Sequence, residues 1–371
     1  MKDSYLYKLV AILLFIFLFI AILYFARTFL IPVVFAALLA MLLLPLCRKL
    51  EGWRFGRVPS IVACLLIVLV IVCGFVLLFY TQILSFTQDM DLVEEKLMGK
   101  MLVVQEFLEE KTGVPVEDQM HWLKERYSSM IASGGTFIKS ILMGFSEGLV
   151  SIGLIIIYLF FFLLYRQRFK DFLLMLFPIE HHSKVTEIIN RTKDLILHYL
   201  TGLLIALTIL GTMNAVGLLA LGIRQALFLG YLAGFLNIIP YVGTLIGSLL
   251  PILVALLFKD SIWSAVGVTA IFIFNQFIDN NITTPNVVGS HVQVNPLATI
   301  MAVIMGGILW GIPGMILFIP MLGVFKIVCD NVTVLQPIGY LLGDENGQKE
   351  SAFLKRFKSF SIKKKKEGEE K

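Results

Sequence analysis

Residues 226–258 read ALFLGYLAGFLNIIPYVGTLIGSLLPILVALLF, and residues 296–328 read PLATIMAVIMGGILWGIPGMILFIPMLGVFKIV. Both stretches are apolar, and both are broken near the middle by Pro and Gly. A straight helix rises about 1.5 Å per residue, so each would run roughly 50 Å, well beyond a ~30 Å hydrocarbon core. Cut at the break, each half is too short to span. A hairpin that enters the membrane and turns back fits this length. A pair of interrupted segments in the second half of a chain points to a carrier's binding site.

The surrounding composition agrees. Of 371 residues, 58% are hydrophobic and 15% charged, with mean hydropathy +0.87. Globular domains hold about 45–50% apolar and about 25% charged residues, so a soluble fold cannot hide this much apolar surface. The first apolar run begins a few residues in and lacks a small-residue cleavage site, so it reads as a retained span. Net charge is +5, much of it in a tail holding Lys355, Arg356, Lys358 and Lys363 to Lys366. No folded basic module accompanies that tail, which excludes a nucleic-acid partner; it reads as a solvated cytoplasmic end. The four cysteines, Cys47, Cys64, Cys73 and Cys329, lack metal or disulfide spacing and read as small core hydrophobes.

Spans are expected near 10–26, 29–46, 61–80, 149–165, 199–221 and 261–282. Arg48, Lys49, Arg54 and Arg57 crowd one short loop, and Arg166, Arg168 and Lys170 another. Short basic loops stay in the cytoplasm, which puts both termini inside. The fold class expected is an all-α polytopic membrane protein with about six transmembrane helices and two re-entrant helical hairpins, or eight segments counted conventionally. Residues 1–84 hold three spans, and 85–145 form an outward-facing amphipathic helical segment. Residues 146–198 hold the fourth span and a cytoplasmic amphipathic helix. Residues 199–335 form the core with both broken hairpins, and 336–371 form the basic tail. If the hairpins re-enter, the two span-plus-hairpin units have opposite orientations, the logic of an inverted repeat.

A non-helical turn inside a bilayer leaves backbone groups without partners, and is tolerated only in protein or beside a polar cavity. The first turn offers Asn237, Pro240, Tyr241 and Gly243; the second offers Gly311, Pro313 and Gly314. Gly230/Gly234, Gly243/Gly247 and Gly307/Gly311 have the G-x-x-x-G spacing that lets helices approach closely. Asn275, Gln276, Asp279 and Asn280 lie one turn apart in pairs and are expected on one helix face. Asp279 is the carboxylate set within an apolar span clear of its end. A carboxylate there marks function, since burying it is costly, and it can carry a proton or bind a cation; the alternative is a polar cap at the cytoplasmic helix end. Thr201, Thr208 and Thr212 form a sparse stripe that either lines a path or bonds its own helix. Lys326 either pairs with Asp279 or a substrate anion, or snorkels to the interface. His181 and His182 have no metal-ligand partner at helical spacing, so no metal site or cofactor is expected. The G-x-S-x-G run at 144–148 has helical flanks, unlike a nucleophile elbow. With no phosphate-binding loop either, neither catalysis nor direct drive by ATP is expected.

These residues resemble a known family. Asn237-Ile238-Ile239-Pro240-Tyr241-Val242-Gly243 is similar to a signature of the autoinducer-2 exporter-like family of bacterial membrane proteins. So are Gln276-x-x-Asp279-Asn280, Pro285, Gly289, Asn295-Pro296, Gly306-Gly307, Gly311-Ile312-Pro313-Gly314-Met315 and Pro320. The family often has Glu where Asp279 stands. The resemblance implies a transporter of about eight membrane segments in the bacterial inner membrane, forming a homo-oligomer, with a pentamer the expected number. It implies export of the signal autoinducer-2, or sodium(lithium)/proton antiport. The partners expected are therefore a small polar solute, a sodium ion or proton, and the bilayer. On the residues alone, a non-transporting membrane scaffold that recruits a partner through 85–139 stays open, as does a passive channel.

Overall fold

A computed structural model describes residues 2–53, 56–88, 150–239, 242–259, 261–287 and 294–344, with Gly99 and Gly148. Most of the expected outer segment, the 144–147 part of the G-x-S-x-G run, Pro240, Tyr241, Gly289 and the basic tail lie outside the described residues.

The described residues form helices, and the chain is an all-α polytopic membrane protein. Helix α1 (Lys2–Phe25) and α2 (Arg27–Gly52) make a tight pair with Ala26 between them. Helix α3 (Arg57–Gln88) follows a basic loop. Helix α4 (Val150–Leu164) ends in a 66° bend into the short α5 (Arg166–Met175). Helix α6 (His182–Ala220) is 39 residues long. The first broken stretch gives α7 (Ala226–Leu236) and α8 (Val242–Phe258). Helix α9 (Ile262–Ile278) runs on through a π turn, Asp279–Thr283, and a last turn, Thr284–Val287. The second broken stretch gives α10 (Pro296–Trp310) and α11 (Ile312–Asn331), and α12 (Gln336–Leu342) closes the described chain. Among the described residues five helices are long and apolar enough to cross a membrane, six if α4 and α5 count as one bent span.

Two expectations change in detail. A cytoplasmic amphipathic helix within 146–198 and a separate span at 199–221 were expected; one helix runs unbroken from His182 into the span as far as Ala220. Nothing between His182 and Leu200 breaks a helix, since this run contains neither Gly nor Pro. At about 1.5 Å per residue, α6 is roughly 58 Å long, nearly twice a hydrocarbon core. Its first turns carry Lys184, Glu187, Arg191, Lys193 and Asp194, with an Arg191–Glu187 pair at 2.6 Å. The second change concerns hairpin legs. Helix α11 has 20 residues and is long enough to cross by itself, whereas α7, α8 and α10 are not.

Both broken stretches fold back on themselves, α7 against α8 and α10 against α11. Small residues make this possible. A Cβ on Gly247 would stand 2.9 Å from Ala233 Cα, and one on Gly306 would meet the Gly314 backbone. Gly311 turns the second hairpin at φ 64° and ψ −144°, a region open to glycine. Three apolar clusters assemble the whole. One joins α2, α3 and α4 through Cys47, Ile61, Leu159 and Leu163. Another joins α6, α7, α8 and α9 through Leu218, Leu229, Val254 and Val268. The third joins α2 and α6 to the second hairpin through Leu38, Ile196, Trp310 and Leu317.

Helices α6 and α7 touch backbone to backbone. A Cβ on Gly234 would lie 2.6 Å from Gly211 Cα, and one on Gly230 would run into Ala215. Gly234→Val should therefore destabilise the fold by about 1–3 kcal/mol, the usual cost of overpacking. Gly153→Ala, with nothing within 4 Å of the added Cβ, should stay near the parent. Unfolding midpoints in a detergent titration read both, and equal midpoints would contradict the packing.

Candidate functional site

The site grows from a match of lengths. Helices α8 and α9 have 17 residues each and are joined by residues 259–261. Running back along one another, they bring the tip of the first hairpin level with the end of α9. Asn237 caps α7 at that tip, and Asp279 opens the π turn. The Asn237 Nδ2 donates to Asp279 Oδ2 at 3.3 Å, and the Thr244 hydroxyl donates to Asn237 Oδ1 at 2.7 Å. Thr244 thus fixes the amide so that its NH2 faces the carboxylate. Gly243 allows this, since a Cβ there would meet Leu236 O and stand 2.9 Å from Asn237 Cα.

Asp279 is 3% exposed and is the one buried carboxylate among the described residues. Its Oδ1 is buried with no hydrogen-bond partner among them, the Thr284 side chain being its other polar neighbour. A buried carboxylate oxygen in that state can take a proton or a cation. The π turn widens the helix at this point; Thr284 N–H donates to Asp279 O five residues back. Such turns frequently fall at functional sites.

One turn away, Asn275 Nδ2 donates to Asn214 Oδ1 at 2.9 Å, and both residues are buried. Asn275 also floors an open groove of about 550 Å³ between α6 and α9, whose walls include Thr208, Thr212, Val216 and Ile271. Thr208 and Thr212 donate to the carbonyls of Leu204 and Thr208, four residues back, at 2.8 Å. Thr212 Oγ1 also lies 3.0 Å from the Tyr231 hydroxyl. Thr208 and Thr212 therefore both bond their own helix and face a groove.

Of the expected site residues, Asn237, Gly243, Asn275 and Asp279 come together. Pro240 and Tyr241 lie outside the described residues. Gln276 and Asn280 do not join the group; Gln276 Nε2 donates to Asn280 Oδ1 at 3.0 Å on the exposed side. Pro285 is exposed in the last turn of α9. Gly311, Pro313 and Gly314 shape the other tip, which packs elsewhere. There, Trp310 Nε1 donates to Leu23 O at 2.9 Å, filling a carbonyl left open at the end of α1. Lys326 neither reaches Asp279 nor snorkels; it is mostly buried and paired with Asp330. Among the described residues no group of His, Cys, Asp and Glu could hold a metal ion.

Sequence reasoning missed Asn214, Thr244 and Tyr231. Asn214 carried a readable signal, an amide in an otherwise apolar stretch of a span, where polar side chains seek a partner on another helix.

The fold is that of a helical membrane protein whose core holds a buried carboxylate at the tip of a broken hairpin, the build of a transport protein. The comparisons agree, and they are specific. The pattern of the family described as AI-2E family transporter matches residues 13–333, and the chain belongs to that family. It is 27% identical over 329 residues to the AI-2 transport protein TqsA of Escherichia coli (strain K12), covering 87% of this chain and 91% of that one. It is 27% identical over 322 residues to YrrI of Bacillus subtilis (strain 168), a candidate transport protein by name, covering 81% and 86%. A third relative, YueF of the same organism, is named likewise and is 31% identical over 177 residues, 48% of this chain and 47% of that one.

Two outcomes test this geometry. Asn214→Leu should destabilise the chain by about 0.5–2 kcal/mol, because it leaves the Asn275 amide buried and unpaired. The double change Asn214→Leu with Asn275→Leu should recover part of the loss; additive losses in the double-mutant cycle would rule the bond out. At the other tip, Gly311→Ala forces a side chain onto φ 64°, ψ −144°, a strain of about 1–3 kcal/mol. Its unfolding midpoint should fall below that of Gly153→Ala.

Proposed function

We propose that the chain exports a small polar solute of the autoinducer-2 kind across the bacterial inner membrane, coupled to an ion gradient through Asp279. The observation that carries this reading is the buried Asp279 carboxylate, with one oxygen held by Asn237 and the other without a partner among the described residues. TqsA, alike over most of both chains, is named for autoinducer-2 transport, which supports the solute class. In this reading both hairpins re-enter the membrane, both termini are cytoplasmic, and the chain works as a homo-oligomer, a pentamer. The first hairpin is the moving part. Its tip leaves Asp279 in one state and covers it in the other, while the second tip stays tied to α1 through Trp310. Asn237 and Asn275 bind, Asp279 couples, and Tyr241 and Pro240 complete the tip. Gln276 and Asn280 hold the exposed side of α9. The cycle uses no covalent chemistry and no cofactor.

Sodium(lithium)/proton exchange is the second reading. What favours it is the buried Asp279 carboxylate, a hard oxygen donor whose Oδ1 has no partner among the described residues. A scaffold that recruits a partner through 85–139 would have no use for such a site.

Proteoliposomes holding a pH dye distinguish the readings. If sodium or lithium drives proton movement in the parent and not in Asp279→Asn, exchange is the activity. If neither ion moves protons and labelled autoinducer-2 accumulates only with the parent, export is. Asp279→Asn should lose coupled flux by about 10²-fold or more, with expression and folding near the parent. Full coupled activity in Asp279→Asn would sink the role of this carboxylate.

A further inference from the structure

Helix α5 has no buried residue, although it is half apolar. Phe169, Phe172, Leu173 and Leu176 recur at i, i+3, i+4 and i+7, so they form one stripe along the helix. Phe172 is 58% exposed, and the following turn leaves Ile179 84% exposed. Among the described residues Phe169 packs against the Phe162 ring at 5.3 Å, yet all four side chains of the stripe stay exposed. The 66° bend turns α5 out of line with α4, whose side chains Ile157 and Phe161 are also exposed. The apolar surface of the crossing helix therefore continues onto α5.

Charge marks the same end of the bundle. Arg166 binds Glu51 at 2.6 Å, and Arg57 Nη2 donates to Leu163 O at 3.5 Å. These contacts bring the two base-rich connections, one after α2 and one after α4, to one end. Arg168 and Lys170 stand on α5 beyond the ion pair; Arg168 lies 5.5 Å over the Tyr165 ring. Of the acids nearby, Asp171 accepts from Gln167, and Glu180 lies beyond the stripe. A short helix with an exposed apolar stripe and flanking bases lies in a membrane interface, and bases near such a surface favour anionic lipid.

We propose that α5 and the turn after it form an interfacial anchor that binds anionic lipid headgroups of the leaflet at the basic, cytoplasmic end. The anchor sits between α4 and α6. It fixes the α2–α4 bundle and the long helix that carries the core to one common plane, the leaflet surface.

Single-cysteine reporters test this without any transport assay. Phe172→Cys reports the stripe and Gln167→Cys the opposite side, each exposed to a membrane-impermeant maleimide, with the parent chain as blank for the native cysteines. The vesicles are phosphatidylcholine with or without phosphatidylglycerol. The Gln167→Cys thiol should react about tenfold faster than the Phe172→Cys thiol. Phosphatidylglycerol should slow the Phe172→Cys reaction further, and Arg168→Gln with Lys170→Gln, or high salt, should remove that extra slowing. Equal rates at the two positions would overturn the interfacial placement. A stripe shielded alike in both vesicles would overturn anionic-headgroup binding.

Discussion

Everything in the core depends on how closely α6 and α7 approach. Lipid tails are as apolar as leucine, so helices in a bilayer gain little by hiding apolar surface from lipid; packing and interhelical hydrogen bonds hold them together. Gly211 and Ala215 on α6 face Gly234 and Gly230 on α7; the Gly234 and Gly211 backbones meet directly, with the Tyr231 ring and the Ala215 methyl packed beside them. This contact sets α7 along the upper half of α6. From there the rest follows in order. Helix α8 folds back on α7 over Ala233 and Gly247, and α9 lies against both α8 and α6. The polar groups meet only because these backbones are already close.

Closeness also explains how an Asp can sit in such a place. A lone carboxylate among apolar side chains in a membrane would be expelled or kept neutral. Here the hairpin tip supplies an amide aimed by Thr244, and the π turn opens the helix at the same residue. Among the described residues one carboxylate oxygen accepts from Asn237 and the other has no partner at hydrogen-bond distance. That asymmetry separates a structural carboxylate from one that can exchange a ligand, because a fully bonded group gains little from a proton or a cation. The site is held by two segments that are separate in sequence, residues 237–244 and 275–284.

The two interruptions, the hairpins and the singular position of Asp279 were legible in the sequence, because Pro, Gly and buried charge are local signals. Family membership was legible for the same reason, since the motifs sit at those breaks. What could not be read was which neighbour each helix face would meet. Helical spacing suggests one face for Asn275, Gln276, Asp279 and Asn280, but adjacent rows on a helix lie about 100° apart around its axis. One row turned to Asn214 and Asn237, and the other turned outward. The continuity of α6 was hidden for a different reason. Its first turns are charged and its later turns apolar, so composition suggested a boundary where the backbone has none.

The hairpins look like a matched pair in sequence, yet they are held by different means. The first meets its neighbours through glycine and ends in a polar contact with α9. The second ends in Trp310, which stacks edge-on against Phe318 at 5.4 Å and hydrogen-bonds to a backbone carbonyl of α1. A large aromatic ring packed in a cluster with Leu38, Ile196 and Leu317 resists displacement, since moving it would open a cavity. Among the described residues the first tip reaches α9 through an amide–carboxylate bond of 3.3 Å instead of a packed ring. In this chain the described side chains at the two tips differ: the second tip is joined to the N-terminal helices through Trp310, and the first meets α9 through Asn237.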